Sequence, residues 1–135
     1  MAGITAFPDI PDTVQGAFGT DMSFEASADI LAGQAVQLAS TGKIAPATAS
    51  SQKVIGVAIY DIPNGTIGAV RVLGATTCAN ADGSTAITAG AAVTAGALGG
   101  VAAATTGAIL GIALEPIAGG ATGKVLVVPS FNSTA

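Results

Sequence analysis

With 135 residues the chain has room for one domain; half of it is apolar but only 4% is aromatic, so any core must be built from small side chains with backbones in close approach. Charged residues make up 9% and the net charge is −4, far below the ~25% charged content of an ordinary soluble domain, which marks a surface largely covered by something else. Lys43, Lys53, Arg71 and Lys124 form no basic cluster, which excludes a nucleic-acid partner, and the absence of histidine excludes catalytic triads, zinc sites and imidazole acid–base chemistry.

The opening MAGITAFPDIPD has neither a basic n-region nor an apolar h-region, so export by a signal peptide is not expected. Pro8, Pro11, Gly16 and Gly19 interrupt any period, and residues 1–22 read as an extended N-terminal arm that carries most of the acidic residues together with the stretch just after it. A single domain over 23–135 follows. From Ser23 the alternation of Phe24, Ala26, Ala28 and Ile30 against Ser23, Glu25, Ser27 and Asp29 predicts a half-buried strand. Leu31-Ala32-Gly33 is a turn, Gln34–Leu38 a short strand, Ser40-Thr41-Gly42 a hairpin turn and Lys43–Ala45 its return.

After the polar loop Ala47–Gln52, the run Lys53–Asp61 is the strongest β signal of the first half. Pro63-Asn64-Gly65 is a turn with a mechanism, since Pro fixes φ while Asn and Gly tolerate positive φ. Ile67–Leu73 is the next strand and Gly74–Ser84 a loop holding Cys78. Then the series restarts. Ile87, Ala89, Gly90, Ala92 and Val93 match Ile30, Ala32, Gly33, Ala35 and Val36 at an offset of 57, as Gly99, Ala102 and Ala104 match Gly42, Ala45 and Ala47. Two residues drop out of a loop, and Gly111, Ala113, Ile117, Gly120, Gly123, Val125 and Val127 match Gly56, Ala58, Ile62, Gly65, Gly68, Val70 and Val72 at an offset of 55. A constant register broken once identifies an internal duplication with units at about 30–73 and 87–128. The fold class expected is all-β, a small β-barrel or sandwich with pseudo-two-fold symmetry. The uncharged window Ala86–Leu114 has the small-residue spacing of a membrane helix, but its Gly and Thr interruptions and the repeat assign it to strands and turns, so no membrane partner is expected.

No catalytic constellation emerges, and neither an enzyme activity nor a cofactor or metal is expected. Cys78 is the sole cysteine, has no base nearby and reads as a buried small hydrophobe. Asp61 and Glu115 fall one position apart in the aligned units, yet turn-flanking surface acids explain them better than a glycosidase pair. Asp9, Asp12, Asp21 and Glu25 fit no calcium loop, and Gly96–Gly100 lacks the Gly-Lys-Ser/Thr and helix of a phosphate cradle. Tyr60 stands at a strand end, where packing and partner contact both remain open.

The units AGQAVQLASTGKIAP, VIGVAIYDIPNGTIGAVRVLG, AGAAVTAGALGGVAAAT and ILGIALEPIAGGATGKVLVV resemble, over residues 30–129, the capsid cement or head decoration proteins of tailed bacteriophages. That resemblance implies a structural virion protein on the outer capsid surface, a homotrimer that clamps neighbouring subunits of the major capsid protein. The contact residues expected are those of the arm, Ile4, Phe7, Pro8, Ile10, Pro11, Val14 and Phe18, and of the first turn tip, Tyr60, Pro63 and Asn64. The alternative is a cellular surface or pilus-like subunit that assembles by strand addition.

Overall fold

The structure, a computed structural model, describes residues 19–104 and 108–130. Nine strands form one sheet: β1 (Gly19–Glu25), β2 (Ala35–Leu38), β3 (Ile44–Pro46), β4 (Val54–Ala58), β5 (Ile67–Ala79), β6 (Ala92–Ala95), β7 (Val101–Ala103), β8 (Ile109–Ala113) and β9 (Thr122–Ser130). The sheet curls into a half-barrel. The described residues contain no α-helix; a single 3-10 turn, Ala97–Gly99, links β6 to β7. No helix of the described residues is long and apolar enough to cross a membrane, and the window considered for one holds β6, β7 and β8.

All pairings between strands are antiparallel, in the order β3-β2-β4-β5-β9-β8-β6-β7, with β1 also on β5. β5 runs on to Ala79 where the sequence reads a loop from Gly74. The reason is tertiary: Gly74–Ala79 are small and individually indifferent, but they pair with Val127–Thr122 of β9, and those ladder bonds outweigh the weak local preference. The first strand likewise starts at Gly19, four residues before the alternation at Ser23, because it pairs with Ile67–Gly74. It ends at Glu25, and the alternation beyond it survives as single bridges at Ala26 and Ile30.

These extensions enlarge the repeat. Met22 faces Val70 as Thr76 faces Val125, and the bridges Ala26–Ile44 and Ile30–Ile62 recur as Asn80–Val101 and Ile87–Ile117. The first unit therefore spans 19–73 and the second 74–128, with β5 serving as last strand of one and first strand of the other. The Gly-x-Ala pattern marks a steric necessity. A Cβ on Gly56 would run into the carbonyl oxygen of Arg71, and one on Gly111 into that of Leu126, so only glycine lets β4 and β8 reach their neighbours.

Each unit has its own small core. Ala26, Ile30, Val36, Ile44, Ala58, Ile62 and Val70 pack together in the first, and Ile87, Val93, Val101, Ala113, Ile117 and Val125 hold the equivalent places in the second. Each fully buried Val or Ile contributes about 1.5–3 kcal/mol. The second core also contains Cys78, Ala95, Leu110 and Val127, together with Ala35, Ala47, Val54 and Val57 of the first unit. This packing is not reciprocal, since Ala92 and Ile112, the equivalents of Ala35 and Val57, are exposed. The expected pseudo-two-fold axis is thus replaced by a tandem, head-to-tail arrangement.

Gly111→Ala should lower unfolding stability by about 1–3 kcal/mol, because β8 must move off β9. Gly83→Ala, with open space around the new methyl, should stay within about 0.5 kcal/mol. Urea titration of the two variants beside the parent checks both, and equal midpoints would refute the steric reading.

Candidate partner-binding surface

The carboxylates of the described residues are all engaged in structural work. Asp29 Oδ1 accepts the Asn64 N–H and Asp61 Oδ1 the Ala32 N–H, both at 2.8 Å. Glu115 Oε2 accepts the Lys124 N–H at 2.8 Å. Asp21 takes a two-pronged grip from Arg71, Nε to Oδ1 at 2.9 Å and Nη2 to Oδ2 at 3.2 Å, while Glu25 meets Lys43 Nζ at 3.1 Å. Asp82 closes a turn on Ser84 and Thr85, whose hydrogen bonds hold its carboxyl below the usual carboxylate range. Asp61 and Glu115 are accordingly turn-fixing acids. Among the described residues no three His, Cys, Asp or Glu side chains come together as a metal site.

What the surface offers instead is apolar. The first tip, Tyr60–Thr66, is held from both sides by Asp29 and Asp61, and from below by Gly65 N–H to Ala26 O at 2.9 Å and Thr66 Oγ1 to Pro63 O at 2.7 Å. Gly65 sits at φ 84°, the left-handed region that the Pro-Asn-Gly turn requires. Tyr60 is 68% exposed and Ile67 72% exposed, and Pro63 and Asn64 are exposed as well. Ordering an exposed aromatic on a pinned turn in advance reduces the entropy cost of binding.

The second tip is differently placed. Gly119 lies so close to the Gly83 and Asp82 carbonyl oxygens that a Cβ would stand 2.7 and 2.9 Å from them. Asn80, buried where the first unit has Ala26, donates to Thr85 O and Ile117 O at 2.9 and 3.1 Å and ties that loop to the tip. The two tips thus differ in surroundings: the second is tied to the loop at Asp82–Thr85, whereas the first is braced only within its own unit.

A second feature escapes sequence reasoning. Leu31–Gln34 of the first unit and Ala97–Gly100 of the second form the lips of a groove of about 770 Å³ with Thr76–Ala79 along its floor. Gln34 fastens the lips together, accepting the Leu31 N–H through Oε1 and donating to Leu98 O through Nε2, both at 2.8 Å. Leu98 is 85% exposed and held at φ 55°, ψ 35°, a left-handed conformation costly for a leucine. Leu31 stands 60% exposed opposite it. The one legible signal was a large apolar residue inside Gly96–Gly100, a stretch read as turn glycines. The arm residues Ile4, Phe7, Pro8, Ile10, Pro11, Val14 and Phe18 lie outside the described residues.

Residues 14–129 match the family described as phage cement protein. The chain belongs to that family. This cement protein is therefore a structural component of a phage virion, from a family of structural proteins rather than enzymes. Its fold is similar to the crystal structure of the N base of head fiber gp8.5 in bacteriophage phi29, with a TM-score of 0.63 and 18% identity over 84% of this chain and 98% of that one. No curated protein matches.

Among the described residues, Cys78 is the titratable group of the cement protein that burial moves far, its thiol pushed up to about 12. The folded chain keeps a proton that the unfolded chain releases above its ordinary 9.0. The stability this contributes is complete below pH 9.0 and is lost as pH climbs toward 12. A thiol-specific disulfide reagent at pH 8 should react with Cys78 only at the rate of global opening and at once in denaturant; fast labelling of the native protein would contradict its placement.

Proposed function

We propose that this cement protein binds the outer surface of the assembled phage capsid as a homotrimer, contacts the major capsid protein, and holds neighbouring shell subunits together. The observation that carries the reading is the family match over residues 14–129; the geometry supports the choice of contact residues. Tyr60, Pro63 and Asn64 present a pinned, exposed tip, and the arm from Ile4 to Phe18 leads directly into β1, whose pairing is to β5 alone among the described strands. A strand with one open edge is suited to accept another extended segment. The low charge fits a domain that is covered in use.

The mechanism is additive. A subunit that buries on the order of 1,000 Å² or more across a joint in the shell stabilises the closed lattice by mass action, because it binds the joined state and not the separated one. The reading of a cellular pilus-like subunit gives way to the phage family match.

A truncation that spares β1 ends at residue 18, since Gly19 and Thr20 pair with Gly74 and Leu73. Deleting residues 2–18 should leave the strand signal in circular dichroism intact while co-sedimentation with expanded shells is lost. Tyr60→Ala should weaken the same binding by about tenfold, the ~1.4 kcal/mol of a single aromatic anchor. Undiminished decoration by both variants would overturn the assignment of arm and tip.

A further inference from the structure

The two units differ in one face. In the second, Cys78, Ala95, Leu110 and Val127 are fully buried because Ala35, Ala47, Val54 and Val57 of the first unit pack into the same cluster. The equivalent face of the first unit is Phe24, Leu38, Ile55 and Val72, and these are only half buried. They line an open apolar recess of about 300 Å³, completed by Met22 and Pro129, with no charged side chain in it. The equivalents of the covering residues are Ala92, Ala104, Ile109 and Ile112; all lie at the surface or half buried, Ile112 being 41% exposed. Among the described residues, one chain thus leaves a recess uncovered on its first unit and a ridge uncovered on its second, each the homologue of half of an interface already made inside the chain.

We propose that the recess Phe24-Leu38-Ile55-Val72 of one copy receives the ridge Ala92-Ala104-Ile109-Ile112 of the next, repeating between chains the packing that joins the two units within one. Continuity with the internal interface selects this occupant. Both faces are bulkier than their internal counterparts, Phe24 and Leu38 standing where the internal recess has Cys78 and Ala95, and Ile109 and Ile112 where the internal ridge has Val54 and Val57, so two chains meet at a wider spacing than the two units do. The contact between chains is the larger of the two in apolar side chains, as a joint without a covalent link requires. The contact is heterologous, so copies add head to tail and end in a closed ring when the rotation closes. This deepens the self-association proposed above and involves no shell, so failure of ring formation and failure of capsid binding are read separately.

The test is the solution mass of the full-length protein, by sedimentation equilibrium, for the parent, Ile55→Asp, Ile112→Asp and their equimolar mixture. The parent should form one closed species of constant mass. Each variant alone should fall to a single chain, and the mixture should give a two-chain species and nothing larger, because one intact recess and one intact ridge remain. Should Ile55→Asp fail to fold, Ile55→Cys/Ile112→Cys, oxidised without denaturant, should cross-link between chains while neither single cysteine variant does. A parent that is monomeric at every concentration overturns the proposal, as do variants that assemble like the parent or a double-cysteine protein that stays uncrosslinked. A monomer whose Ile55→Cys thiol resists labelling assigns the recess to the chain's own terminal segments and overturns it too.

Discussion

The structure depends on one strand being shared. β5 is thirteen residues long, and its first half closes the first unit against β4 and β1 while its second half opens the next unit against β9. No linker separates the copies, so their relative placement is set by the ladder itself rather than by a hinge. A unit of about 55 residues is marginal alone, because a domain that small buries too little of its surface. Joining two within a strand gives each a rigid neighbour.

That junction explains the uneven cores. Because the units follow one another along β5 in tandem, the first covers the second without being covered in return, and the longer cluster of buried side chains belongs to the second. Salt contributes little to the arrangement. The ion pair of Arg71 with Asp21 is the better placed of the two, with side chains 22% and 33% exposed, and half-exposed pairs of this kind contribute roughly 1 kcal/mol or less. Packing of small side chains and ladder bonds carry the rest.

Much of the fold is legible in the sequence where a constraint leaves a fixed residue. Gly56 and Gly111 repeat because any side chain would strike the next strand, and Ile62 and Ile117 repeat because each fills its unit's core beside Gly68 and Gly123. The continuation of β5 is not legible, since Gly-Ala-Thr-Thr-Cys-Ala shows no alternation and shares no residue pattern with the strand it duplicates, β1. Asp61 reads as a turn acid and Asp29 as the polar face of a strand, but the backbone groups that both bind lie far away in sequence and appear only in the fold. Tyr60 resolves toward exposure. Asn80 and Leu98 were hidden for opposite reasons, one a polar residue replacing an apolar core position and the other an apolar residue in a glycine-rich turn.

The shared strand also determines how the molecule bears load. Tension applied between the two units along β5 passes through covalent backbone, and the pairing of Gly74–Ala79 with β9 is strained in shear, its bonds loaded together instead of being peeled one at a time. A tug on the first tip is passed through Asp29 and Asp61 to the neighbouring turn at Ala28–Ala32, and from there to the sheet. The shared strand therefore lets a soft, small-residue chain resist extension along β5.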